Sequence, residues 1–140
     1  MIILAVDFGD SRTGVAVCDP TEFLASPVEV IHERYAPKVI ERLCAIADEK
    51  KAELFVVGHP KNMNDNEGER AKKSEMFAKA LAEASEIETM LWDERLTTVS
   101  ARNALNNLNV RGKKRKAVID SVAAVMILQS YIDYRRNSNV

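Results

Sequence analysis

The sequence predicts an α/β domain: a mixed sheet whose first three strands run antiparallel and whose later strands return in parallel through helices on both faces. Three observations carry this expectation. Strand-like apolar runs come early and close together, near 2–7, 13–19 and 28–31, with connections too short for a helical crossover. Beyond them, apolar runs alternate with amphipathic stretches of helical period, the pattern of parallel strands joined by helices. Leu54-Phe55-Val56-Val57-Gly58 is apolar throughout, as a central strand covered on both faces must be.

Taken in order, Ile2-Ile3-Leu4-Ala5-Val6 runs into Asp7 and then into the Gly- and Ser-bearing segment 8–14, a buried strand ending in a turn. A helix is expected over about 36–50, where Val39, Ile40, Leu43, Ile46 and Ala47 form one stripe and Lys38, Glu41, Arg42 and Asp48 lie off it. Strand 54–58 follows, then a helix near 68–85 with Phe77, Ala80, Leu81 and Ala84 on one side. Strand 89–93 and helices near 97–108 and 117–135 complete the chain. The stretch 62–68, rich in Asn and ending in Gly, reads as flexible. Trp92 falls inside a strand and reads as core, as do Cys18 and Cys44.

At 140 residues the chain fits a single domain, 1–140. No apolar run is long enough to span a bilayer, and no basic segment precedes a signal-like core, so a cytoplasmic protein with no membrane partner is expected. No CxxC or Cys/His spacing suggests zinc. The net charge of −1 excludes attraction to nucleic acid by the molecule as a whole, so any such attraction must be local. Arg111-Gly112-Lys113-Lys114-Arg115-Lys116 carries five cations in six residues and reads as a basic loop close to Asp120. Such a loop is either simply solvated or holds a phosphate backbone.

Asp7 is the most informative residue. A carboxylate at the end of a buried strand is costly to desolvate unless a cation or hydrogen-bond donors meet it. Alternation puts Ile3, Ala5 and Asp7 on one face of the first strand. Asp93 and Glu94 end a later strand and point to opposite sides, so only one can share a site with Asp7; Glu94 is preferred for its reach, with Asp93 the alternative. Asp120 is placed in the first turn of a helix, where it either completes the cluster or only satisfies free N–H groups. Three carboxylates would suit Mg²⁺ or Mn²⁺, hard ions that activate water for phosphodiester cleavage, and no Ser/His/Asp or Cys/His arrangement competes with that reading. Arg12 and Ser11 in the first turn, and Lys61, Asn62, Arg70, Lys72 and Lys73 in or after the 62–68 stretch, are placed to contact phosphates. His59 could shuttle protons or touch substrate, but a structural or surface role is the better reading.

Several ordered stretches resemble the YqgF (RuvX) family, nucleases of RNase H-like fold related to the RuvC Holliday junction resolvases. They are Asp7-Phe8-Gly9 with Arg12 and Gly14-Val15-Ala16; Val56-Val57-Gly58 with Pro60 and Asn62-Met63; and Glu67-Gly68 with Arg70-Ala71. Asp93-Glu94-Arg95-Leu96-Thr97-Thr98 and Asp120-Ser121-Val122-Ala123-Ala124 with Ile127-Leu128-Gln129-Ser130-Tyr131 follow. The resemblance implies a divalent-metal site at Asp7, Glu94 (or Asp93) and Asp120. It also implies a role in maturing the 5′ end of precursor 16S rRNA, or in resolving Holliday junctions. His59 and Lys61 stand where the family often has apolar residues, and 64–66 lacks its common Gly.

The expected function is therefore a metal-dependent endonuclease acting on structured RNA, with ribosomal precursor particles as partner. Arg12, Lys61, Asn62, Arg70, Arg95, Arg111, Lys113, Lys114, Arg115 and Lys116 would line its nucleic-acid surface. The alternatives are a resolvase of branched DNA, which would need a homodimer rather than a monomer, and a nucleic-acid-binding protein without catalysis. Asp7-x-Gly9 also resembles the first phosphate loop of actin-like ATPases, but those need two lobes around the nucleotide.

Overall fold

Alternating and continuous apolar patterns resolve into two cores, one on each side of a sheet. The computed structural model describes residues 1–60, 65–94 and 113–138, and side chains within 1–60, 68–94 and 122–138. Strands β1 (Ile3–Asp7), β2 (Thr13–Cys18), β3 (Ala25–Ile31), β4 (Leu54–His59) and β5 (Glu88–Asp93) form one sheet in the order β3-β2-β1-β4-β5. β1 pairs antiparallel with β2, and β2 with β3, while β4 joins β1 and β5 joins β4 in parallel. This is the mixed α/β topology that the sequence predicts.

Helices α1 (Ala36–Lys50) and α2 (Asp65–Ser85) cover one face. There Leu4, Val6, Phe55 and Val57 meet Val39, Leu43, Ile46, Phe77 and Leu81. Helix α3 (Lys113–Ser138) covers the other, where Ile3, Ala5 and Val56 pack against Ala124, Ile127, Leu128 and Ile132. Every residue of β4 is buried, which accounts for its unbroken apolar sequence. Trp92 lies in the α3-side core, donating its indole N–H to Ser130 Oγ at 2.8 Å and meeting Tyr131 edge-on. Among the described residues no helix is long and apolar enough to cross a membrane.

Several boundaries move for identifiable reasons. β3 begins at Ala25 rather than 28 because Pro27 sits on an edge strand, where its missing N–H costs no ladder bond. α2 begins at Asp65, so residues 65–68 are helical rather than flexible; acidic residues there suit the positive end of the helix dipole. α3 begins at Lys113, so Lys113, Lys114, Arg115 and Lys116 open a helix rather than belong to a basic loop. Lys and Arg are good helix formers, and like-charge repulsion one turn apart costs only a few tenths of a kcal/mol, roughly. Asp120 accordingly lies well inside α3 and not in its first turn, which removes the explanation that it satisfies free N–H groups. The predicted helix 97–108 lies outside the described residues.

Candidate active site at the carboxyl edge of the parallel strands

β1, β4 and β5 all end at the same edge of the sheet, and their last residues bring Asp7, Gly58–His59 and Asp93–Glu94 together there. In open α/β sheets this carboxyl edge is where ligands bind, because side chains from several strands converge while the connecting backbone turns away. The register sets which side chains share a face. Val6 pairs with Val57 and Gly58 with Trp92, so Asp7, Gly58 and Trp92 line up one after another across three strands.

Glu94 follows the parity of Met90 and Trp92 and so turns toward α3, onto the face that Asp7 shares with Ile3 and Ala5. Its carboxylate lies over Gly58: a Cβ built there would stand 2.8 Å from Glu94 Oε1 and 2.6 Å from Ile127 Cδ1. Any side chain at position 58 would therefore displace Glu94. Burial, followed by the negative charge of Asp7, raises the Glu94 pKa, with Asp93 adding to the rise and Arg70 opposing it. Asp7 and Glu94 are thus close enough to feel each other, in surroundings dry enough to matter. Asp93 takes the opposite parity and lies level with His59, on the α1/α2 side. Of the two adjacent acids, Glu94 is the one brought onto Asp7's face.

The turn leaving Asp7 is equally constrained. A Cβ at Gly9 would sit 2.5 Å from the Arg12 carbonyl oxygen, so the β1–β2 turn closes only with glycine there. That turn puts Arg12, half-buried, at the same edge. Arg70 projects from the exposed first turns of α2 and acts electrostatically on Glu94. His59 is buried, with Nε2 3.1 Å from Glu75 Oε1 of α2, which agrees with a structural role.

Lys61, Asn62, Arg95 and Arg111 lie outside the described residues. So do the side chains of Lys113, Lys114, Arg115, Lys116 and Asp120, whose backbones belong to α3. Along α3, Asp120 precedes Ala124 and Ile127 at the spacing of one helix face, and both of those are buried against the sheet. Sequence reading missed Gly58 and Ile127 as parts of the site. A glycine closing an apolar strand hints at a close approach, but nothing local says which side chains need the space.

The donor set suits a divalent cation. Two carboxylates that repel each other in a partly dry setting are stabilised by a hard cation between them, and Mg²⁺ and Mn²⁺ prefer oxygen ligands. Among the described residues no three His, Cys, Asp or Glu side chains form a complete cluster, so a full set would need a further ligand.

The chain is similar to known proteins both in sequence and in fold. Residues 1–134 match the family model described as "RuvX: Holliday junction resolvase". A Ruminiclostridium cellulolyticum protein named "Putative pre-16S rRNA nuclease" is 40% identical over 134 residues, spanning 95% of this chain and 94% of that one. One of the same name from Geobacillus thermodenitrificans is 45% identical over 138 residues, covering 97% of this chain and all of its own length (100%). In three dimensions the chain resembles Thermus thermophilus RuvC in complex with a Holliday junction substrate, with a TM-score of 0.66 at 12% identity over 98% of this chain and 96% of that one. At that identity the likeness shows a shared fold, the RNase H-like fold of the RuvC resolvases.

Proposed function

The chain belongs to the RuvX family, and from that premise we propose that it is a divalent-metal-dependent endonuclease. Its substrate would be structured RNA, cut in the 5′-end maturation of precursor 16S rRNA in the cytoplasm. The observation that carries this reading is the pairing of Asp7 and Glu94 on one face at the carboxyl edge of the sheet, with Gly58 clearing the space for Glu94. Asp7 and Glu94 would hold Mg²⁺ or Mn²⁺, with Asp120 of α3 as the third ligand. When bound, the ion polarises a phosphoryl oxygen and lowers the pKa of water.

The chain's own groups prepare that chemistry. Ile127 and Glu94 both close on the space over Gly58, and the burial of Glu94 there would strengthen the carboxylates' hold on a cation. Arg70 and Arg12 would orient the phosphate, and the cations opening α3 would add affinity along the backbone.

A second reading, cleavage of four-way DNA junctions by a homodimer, is favoured by the description that the family carries. Labelled precursor 16S 5′-region RNA and a four-way DNA junction, each incubated in Mn²⁺ and in EDTA, separate the two. The proposal expects Mn²⁺-dependent cutting of the RNA that Asp7→Asn abolishes. Cutting of the junction alone, by a dimer, would select the resolvase. Binding of RNA in EDTA without cutting of either substrate would leave a binding protein on this fold.

A further inference from the structure

Asp7 and Phe8 are neighbours in sequence but face opposite sides of the same sheet edge. Asp7 turns toward α3 and Glu94. Phe8 turns toward α1 and α2, where its ring stacks on Phe77 with centroids 4.0 Å apart and planes 13° from parallel. There Phe8 opens an apolar groove of about 250 Å³, walled by Ile40, Met76 and Phe77 and flanked by Arg34 and Lys73. A more polar hollow of about 190 Å³, reaching Gly9 and Arg70, shares Phe8, Asp10 and Lys73 with that groove. The two hollows adjoin along these shared residues, beside the turn that follows Asp7 and next to Arg70, whose charge acts on Glu94.

Phe77, Phe8 and Ile40 serve the α1/α2-side core, but fold stability does not account for Met76 or for the cations beside it. Met76 is 73% exposed on a helix whose neighbouring Phe77 already fills the core. Three cations, Arg34, Lys73 and Arg70, border the two hollows against one carboxylate, Asp10. Lys73 and Asp10 stand 3.5 Å apart and both are largely exposed, so their pairing is weak and easily exchanged for another anion. Apolar walls alone would suit many ligands, and cations alone any anion. The combination suits a flat apolar ring carried between two phosphates.

We propose that this groove takes one unpaired nucleobase of the substrate strand, with the adjoining phosphates held by Lys73 and Arg70. The inference rests on the nuclease reading and adds a specificity to it. A paired base keeps its faces in the duplex stack and cannot enter, so cutting falls next to an unpaired nucleotide. Stacking against apolar walls is tolerant of sequence, so the groove selects for strandedness rather than for one base.

The test is fluorescence anisotropy in EDTA with three labelled RNAs: a short single strand, the same strand made abasic, and its perfect duplex. The wild-type protein should bind the intact strand about fivefold or more tightly than the abasic one. Met76→Ala removes one wall and Ala80→Trp fills the groove, both at exposed positions of α2. Each should erase that margin while leaving the thermal midpoint and duplex affinity unchanged. Equal wild-type affinity for intact and abasic strands, or an undiminished margin in both variants, would overturn the groove while leaving the nuclease reading standing. No affinity for any of the three RNAs would overturn the nuclease reading and this inference with it.

Discussion

Glu94 carries a cost that its neighbours explain. Burial and the charge of Asp7 raise its pKa, so the folded protein holds that proton more tightly than the unfolded chain does. Its contribution to stability is therefore complete below the ordinary carboxylate range and is lost as pH rises through the raised value. Glu94→Gln should flatten this decline in metal-free protein and raise the thermal midpoint at neutral pH by a few degrees. Denaturation curves across pH check this, and an unchanged pH profile would mean that neither burial nor Asp7 raises the Glu94 pKa. Asp7→Asn removes the same repulsion from the other side, so it should keep or raise the midpoint while abolishing cleavage. A variant that loses activity and gains stability marks a residue retained for chemistry rather than for folding.

At the scale of elements, α3 unites packing and charge. Its middle buries Ala124, Ile127 and Leu128 against the sheet, and its opening turns carry four consecutive cations. Replacing Lys113, Lys114 and Arg115 with Ala should weaken RNA binding and flatten its salt dependence by about one unit of slope per lost phosphate contact. Binding titrations at several salt concentrations measure this, and an unchanged slope would make those cations a solvated helix end. The strands and α1 were legible in the sequence because one local pattern governs each: β4 is apolar throughout because both faces are covered, and α1 shows a clean stripe. The opening of α3 was not legible, because a run of cations after a glycine looks like a loop and forms a helix at little cost. Likewise Asp65–Gly68 looked like turn chemistry, although a helix start tolerates the same residues. In the site, Asp7 could be read directly from the cost of a carboxylate at a buried strand's end. The choice of Glu94 over Asp93 needed the register, since alternation sets them on opposite faces without saying which face is Asp7's. Gly58's role could not be read from the chain, because the side chains that need its space lie far away in sequence.

Across the whole molecule, the end of the sheet opposite the carboxylates is tied down by Glu22. This residue, in the β2–β3 connection at φ 57°, accepts hydrogen bonds from Arg135 near the end of α3 and from the Met1 amine. Burial alone would raise its pKa, but those bonds hold it below the ordinary value. Its stabilisation is thus present above the usual carboxylate range and lost as pH falls through the lowered one. Glu22→Gln should lower the thermal midpoint at neutral pH and weaken the loss of stability on acidification, as scanning calorimetry at two pH values would show. Activity at neutral pH should survive, because this anchor lies far from the site. The most direct test of the central claim compares Mn²⁺-dependent cleavage of the precursor RNA by Glu94→Gln and Asp93→Asn. Loss of cutting in Glu94→Gln with cutting retained in Asp93→Asn is the predicted result. Cutting retained in Glu94→Gln, whatever Asp93→Asn does, would contradict the pairing of Asp7 with Glu94 as the catalytic site.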